Sequence, residues 1–413
     1  MIPLRLDEIE TLIGGGLKAA PGAKEVTGVQ VDSRRVEPGD LFVAVGKGIE
    51  FVEDARARGA AATLVPEEPF AAFAALGSAV RDRTAARVVG ITGSTGKTST
   101  KDILAAICAP TARTVANEAN FNNEIGVPLT LCRLEPDTEI CILELAMRGF
   151  GQIADLCAIA RPDIGLVTNV GPVHLELVGS LDGVRRAKSE LIAALPPGGT
   201  AIVPVEFSVG REDVEVVYLP EPEARTEEGR TVVGGVSFNF TAPHQAANAA
   251  AALAALDALG LPRPQRVDVE FSRWRGEELP LAGGGVLIND AYNANPDSMR
   301  AALAHLVALA GDRRRVAVLG EMAELGPGGP GFHEEIGAEA ERRGLAALVA
   351  VGNLARGYLE GGRGIPVMEW APDAESAIAV VEGIVRPGDC VLVKASRSVG
   401  LERVAEALAA VSA

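Results

Sequence analysis

The chain has 413 residues, of which 48% are hydrophobic, and a formal charge of −16 from 55 acidic against 39 basic side chains. That length exceeds one ordinary core and implies two or three domains. The acidic balance excludes a general nucleic-acid binder and suits a protein that grips anionic ligands locally.

The first segment, residues 1–84, alternates short strands and helices. The N-terminal residues Met1 to Glu10 include acids where a secretory signal carries an apolar block, and no uncharged apolar run nears the roughly 18 residues of a membrane span. The expectation is a cytoplasmic protein without membrane insertion. Pro38-Gly39-Asp40 signals a turn and Leu41 to Val45 a buried strand. Asp32, Ser33 and Arg34 therefore share a loop, where they either hold a polar ligand or cap a turn. Phe70 to Arg81 reads as a helix that closes the domain.

A second segment, 85–264, repeats strand and helix as a mostly parallel sheet does, with ligands expected beyond the carboxyl ends of its strands. Val88 to Ile91 is a buried strand, and Lys101 to Ile107 places apolar residues at helical spacing. Between them runs Gly93-Ser94-Thr95-Gly96-Lys97-Thr98-Ser99, a shortened phosphate loop in which Ile91 stands where the first glycine of the longer pattern belongs. Its glycines let successive N–H groups face an anion at the start of a helix. Lys97 supplies a point charge for the outer phosphates and the Thr98 hydroxyl a ligand for Mg²⁺, so ATP binding follows.

Asn117 to Pro128 is too rich in amides for a core, and Asn120, Asn122 and Asn123 either bond an extended ligand or form a surface turn. The strand Glu139 to Leu143 ends on Glu144, a possible metal carboxylate, and the strand Ile164 to Asn169 leads to His174, a second metal ligand or a structural imidazole. Lys188 lies on a helix from Leu181 to Ala194, and Asn248 opens an alanine-rich helix, facing a base edge or capping it.

Only seven lysines occur: Lys18, Lys24, Lys47, Lys97, Lys101, Lys188 and Lys394. Arginine fills nearly every other basic position, so a retained lysine marks a need for a compact ammonium or for an amine that can lose its proton. Lys97, Lys188 and Lys394 are the candidates. The five cysteines, Cys108, Cys132, Cys141, Cys157 and Cys390, show no metal spacing and read as reduced core residues.

The last segment, 265–413, opens a new α/β unit after a hinge at Gln265 to Arg273. Strands are expected at Gly285 to Asp290, Arg314 to Leu319, Leu345 to Val351 and Asp389 to Val393. Polar loops follow the first and last, carrying Asp290, Asn293, Asn295 and Lys394. Polar groups on two domains imply a cleft that closes for reaction.

Taken together, the phosphate loop, N-F-N-N-E-I-G-V-P at Asn120 to Pro128, D-A-Y-N-A-N-P-D-S-M at Asp290 to Met299 and L-G-E-M-A-E-L-G at Leu319 to Gly326 resemble the ATP-dependent Mur ligases of peptidoglycan precursor synthesis. The resemblance spans nearly the whole chain. It implies an α/β fold of three domains: a uridine-nucleotide domain, a central P-loop-type ATPase domain and a C-terminal Rossmann-like domain. Asp32 to Ala44 is similar to the family's uridine-side motif, which brings in Ser33 and Arg34. By the same resemblance Glu144 and His174 match Mg²⁺ ligands, and Lys188 matches a lysine that becomes carbamylated and so ligates a second Mg²⁺. Asn248, Arg275 and Asp290 fall on the nucleotide side, and Lys394, Asn293 and Asn295 face ATP or the incoming amine. Ile49-Glu50-Phe51 departs from the Asp-Gly-His usual in the family, and Ala146 replaces a glycine after the metal-binding glutamate.

The implied reaction joins D-alanyl-D-alanine to a UDP-N-acetylmuramoyl-tripeptide through an acyl phosphate, using ATP and Mg²⁺, in a monomeric enzyme. Alternatives are the related ligase adding the third amino acid of the same precursor, a folylpolyglutamate-type ligase, or a non-catalytic nucleotide-gated binding protein.

Overall fold

The computed structural model describes residues 1–118 and 121–410. Three larger units, each built on a parallel or mixed sheet, succeed one another along the chain, and the loops at the carboxyl ends of two of these sheets meet.

In the N-terminal part, strands Gly28–Gln30, Asp40–Val43 and Ala62–Leu64 run parallel, with Leu17–Ala19 antiparallel at the edge. Helix Pro69–Arg81 begins on proline, whose fixed φ suits a first helical position, and buries Phe73, Leu76 and Val80. It does more than close this domain. Gly77 lies so near Pro128 that a β-carbon would sit 2.9 Å from it, and the same apolar cluster contains Leu41, Leu76, Val88 and Leu143. The first unit is thereby welded to one face of the central sheet.

The central sheet has six parallel strands, ordered Glu215–Tyr218, Thr200–Val203, Ile164–Val167, Arg87–Thr92, Ile140–Glu144, Thr114–Ala116. Pleating sends Val88 and Cys141 to the face shared with the N-terminal unit, while Val89, Ile91 and Ile142 face the helices Lys97–Cys108 and Pro243–Ala258. Each fully buried side chain of this kind contributes about 1.5–3 kcal/mol. The long helix packs through alanines 249 to 252, which let the two helices approach closely. Strand Arg87–Thr92 lies between strands that leave it on either side, so the crevice beyond its carboxyl end is the switch point of the sheet.

The run expected as a hinge behaves differently. Arg266–Val267 pairs with Ser237 and Phe238 in a small four-stranded sheet, Val267 and Val269 are buried there, and the Ser272 N–H donates to Asp102 Oδ2 at 2.8 Å. Apolar residues at 267, 269 and 271 anchor the segment to the central unit. The positive φ values fall later, at Trp274 (61°) and Gly276 (76°).

The C-terminal sheet runs Glu277–Leu281, Gly285–Asp290, Cys390–Lys394, Arg315–Gly320, Ala347–Val351, Val367–Ala371, antiparallel only at its first pair. Helices Pro296–Ala310 and Gly329–Arg342 cover one face, Ala374–Ile384 and Glu402–Ala410 the other. This is a doubly wound unit, and each expected strand lies within two residues of an observed one. No described helix is long and apolar enough to cross a membrane.

Candidate functional site

Two glycines fix the phosphate loop. At Gly93 (φ 153°) a β-carbon would fall 1.8 Å from Thr168 Oγ1, and at Gly96 (φ 77°) 2.2 Å from Asn248 Oδ1. Only glycine fits these close approaches. Gly96 caps helix Lys97–Cys108 without a side-chain hydrogen bond, so the positive end of that helix is open to an anion. The loop is braced from the next strand: Asn169 Oδ1 accepts the N–H groups of Ser94 (3.0 Å) and Thr95 (2.9 Å), and Thr168 Oγ1 donates to Thr95 O at 2.6 Å. Ser94 Oγ donates to Gly171 O and accepts from Gly171 N.

Lys97 curls back over the loop, its Nζ donating to Gly93 O at 2.7 Å. Burial lowers its pKa, Arg275 pushes the same way and Glu144 opposes them. Thr98 Oγ1 donates to Glu144 Oε2 (2.6 Å), Asn122 Nδ2 to Glu144 Oε1 (2.8 Å), and Asn117 Oδ1 accepts the Glu144 backbone N–H (2.9 Å). The carboxylate is thus aimed at the loop by three neighbours. Ser99 is buried, with Gln245 Nε2 donating to its Oγ at 3.4 Å, and Gln245 in turn accepts from Asn248.

The C-terminal unit closes the opposite wall. Lys394 Nζ donates to Asp290 Oδ2 (2.6 Å) and Asn293 O (2.8 Å); Asp290 ends strand Gly285–Asp290 and Asn293 follows it. Arg275 stacks 4.0 Å over the Tyr292 ring, and its Nε is buried without a partner among the described residues. Asn295 caps helix Pro296–Ala310, accepting from Ser298 N at 2.9 Å. His244 reaches the same space, and burial drives its pKa down to about 4. A cavity of about 410 Å³ lies between the walls, bounded by Ser94 to Ser99, Asn122, Glu144, His174, Asn248, Arg275, Asp290, Asn293, Asn295 and Lys394.

His174 sits at the rim with φ 52°, its Nδ1 2.5 Å from Glu324 Oε2, and burial lowers its pKa. Lys188 is not on the cavity wall. It is 2% exposed behind it, and burial, reinforced by the Lys97 charge, lowers its pKa well below the usual lysine value. Its charge also acts on His174, which places the three groups in one neighbourhood. Lys188 is therefore not on a solvated helix face.

Other expected residues lie apart. Ser33 is buried beside Asp54, and Arg34 is spent on Asp32 at 2.6–3.2 Å, holding that carboxyl down at about 2. Asn123 Oδ1 accepts Gly126 N at 3.0 Å and so closes the turn that leads into the next helix. Asn120 falls outside the described residues.

Sequence reasoning gave no role to Thr168, Asn169, Asn117, Tyr292 or Glu324. Lys101 was also passed over, although lysine scarcity pointed to it. It is buried, donating to Asn117 O at 2.7 Å and paired with Asp102. The three N-terminal lysines are exposed, while Lys97 is half-buried and the other three are fully buried in or behind this site.

Residues 91–218 match the Mur ligase middle domain and residues 274–397 the Mur ligase glutamate ligase domain. The UDP-N-acetylmuramoyl-tripeptide–D-alanyl-D-alanine ligase of Synechocystis is 34% identical, with 98% of each chain covered. The chain belongs to the Mur ligase family. Among solved structures, MurF from Acinetobacter baumannii superposes on this Mur ligase with a TM-score of 0.85 at 27% identity over 99% of both chains. MurF ligase from Thermotoga maritima, solved in complex with ADP, gives 0.78 at 26% identity over 93% of this chain and 97% of that one.

Proposed function

We propose that this Mur ligase uses ATP to join D-alanyl-D-alanine to a UDP-N-acetylmuramoyl-tripeptide, acting in the cytoplasm as a monomer. The observation that carries the reading is the single cavity in which the phosphate loop and Glu144 face Lys394, Asp290 and Asn293 from another unit. A nucleotide held on one wall can then meet an acceptor carboxylate and an amine positioned by the other.

In this reading the terminal tripeptide carboxylate attacks the γ-phosphorus. A new P–O bond forms as the bond to ADP breaks, and the amine nitrogen then attacks the acyl carbon, losing a proton as phosphate departs. A carboxylate is a poor electrophile until phosphorylated, so the protein's task is positioning and charge neutralisation. Gly93 to Ser99 cradle the phosphates, Lys97 offsets the charge that builds on them, and Asn248 with Arg275 borders the rest of the nucleotide. Lys394, fixed by Asp290 and Asn293, adds a cation on the acceptor side, and Asn295 sets the helix beside it.

The donor set fits Mg²⁺. No group of three or more His, Cys, Asp or Glu forms an all-protein cage among the described residues. A hard cation that keeps one or two protein ligands and takes the rest from phosphates needs no such cage. Thr98, Glu144 and His174 would hold it, and when bound it would neutralise phosphate charge. Lys188 is assigned as the carbamylated lysine. Its amine is buried, which lowers its pKa and favours the neutral form that can attack CO₂, and an arginine there could not attack.

Residues 1–84 are assigned the uridine nucleotide, 85–264 ATP, and 265–413 part of the ATP site and the amine. Ser33 and Arg34 do not border the cavity and would serve the uridine end, whereas Asn122 borders the cavity and Asn123 shapes the loop beside it. Phosphate release measured with each substrate alone and together tests the reading. Release should require ATP, the tripeptide nucleotide and D-alanyl-D-alanine together. Release with a folate and glutamate, or none with any mixture, overturns it.

A further inference from the structure

The L-G-E-M-A-E-L-G stretch contains a carboxylate that the scheme above does not use. Glu324 follows strand Arg315–Gly320 of the C-terminal unit, yet its side chain is spent wholly on the central unit. Oε2 lies 2.5 Å from His174 Nδ1 and Oε1 accepts from Arg148 at 2.5 Å. The backbones dock too, Glu176 N donating to Glu324 O at 3.4 Å, with Gly326 packed against Glu176.

Both ends of this contact are strained. Glu324 (φ 62°) and His174 (φ 52°) occupy the left-handed region, which costs a residue with a β-carbon about 1–2 kcal/mol. Such conformations persist where surroundings over-determine them, most often at functional sites. The chemistry is equally directed. A carboxylate beside Nδ1 takes the Nδ1–H, fixes the tautomer and leaves Nε2 as the electron-pair donor, as outer partners of metal-bound imidazoles do.

We propose that Glu324 is a positioning residue through which domain closure seats the His174 imidazole for the nucleotide-bound divalent cation. The inference rests on the ligase reading above. Because the carboxylate and the imidazole belong to different units, the seat exists only when they meet. Cation binding and closure must then favour one another to the same extent.

Mn²⁺ binding to the protein–ADP complex, followed by electron paramagnetic resonance, tests this, with closure followed by the distance between dyes on the two units. Losing an outer partner of a metal ligand typically lowers metal affinity about 10- to 100-fold. Glu324→Ala should show that loss and remain more open at saturating Mn²⁺–ADP. Glu324→Gln keeps an oxygen that accepts the Nδ1–H, and its affinity should stay within about 3-fold of wild type. Arg148→Ala, which leaves the His174 contact intact, should do likewise and serves if Glu324→Ala does not fold. Wild-type affinity in Glu324→Ala, or a loss in Glu324→Gln or Arg148→Ala equal to about 10-fold or more, overturns the proposal. A wild-type protein that binds no ADP at all would instead remove the ligase reading on which it rests.

Discussion

Gly96→Ala should cripple nucleotide binding while sparing the fold. An alanine there must adopt φ 77°, at a cost of about 1–2 kcal/mol. Its methyl would also lie 2.2 Å from Asn248 Oδ1, so the amide must retreat by at least about 1.2 Å to reach an ordinary contact. That retreat breaks the 2.8 Å bond from Asn248 to Gln245, worth about 0.5–1.5 kcal/mol. The loop can relieve both strains without ligand by leaving its native conformation, but an anion needs the native one. The penalty therefore falls on binding, about 2–3 kcal/mol, or roughly 30- to 140-fold in the ADP dissociation constant at 1.4 kcal/mol per decade. Isothermal titration calorimetry with ADP measures it, with a thermal melt as the fold control. Asn248→Ala in the same chain removes the clash, so the two substitutions should couple favourably by at least about 1 kcal/mol. An unchanged ADP affinity in Gly96→Ala, or strict additivity in the pair, would refute the reasoning.

Lys188→Ala and Lys188→Arg should both lose most activity, because neither can carry a carbamate. Short carboxylic acids should partly restore the alanine variant in a phosphate-release assay, and full activity in Lys188→Arg would remove the carbamylation assignment. His244 makes stability pH-dependent. Its folded pKa is about 4 against an ordinary 6.5, so the unfolded chain binds more protons between those values and stability falls as pH drops through that window. The contribution is at most about 3 kcal/mol and less with the ring's partial exposure. Urea midpoints at pH 4.5 and 7 should converge in His244→Gln relative to wild type. All five cysteines are buried, with burial pushing their thiols up to about 11 or 12. An aromatic disulfide reagent should therefore react with none in the folded protein at neutral pH and with five in denaturant, and rapid reaction in the native state would contradict this packing.

The phosphate loop, Glu144 and the Lys394 loop were legible because each is a polar exit from a buried strand, and a strand-end position can be read from local sequence. Lys188 was legible through lysine scarcity and resemblance, though its burial could not be read from the helix pattern alone. What escaped were braces that depend on two distant segments meeting. Asn169 holds a loop 74 residues upstream, and Glu324 reaches His174 across 150 residues. No periodicity encodes such a meeting. The hinge was misplaced because a polar, proline-flanked run reads as a linker. Val267, Val269 and Phe271 were the overlooked alternating apolar signal that ties it to the central unit.

The central claim is that the γ-phosphoryl group is handed to a carboxylate before the amide bond forms. Tripeptide nucleotide labelled with oxygen-18 in its terminal carboxylate tests this in one turnover with ATP and D-alanyl-D-alanine. Transfer through an acyl phosphate predicts one labelled oxygen in each phosphate released. Phosphate carrying no label, with the amide product formed, would contradict the account.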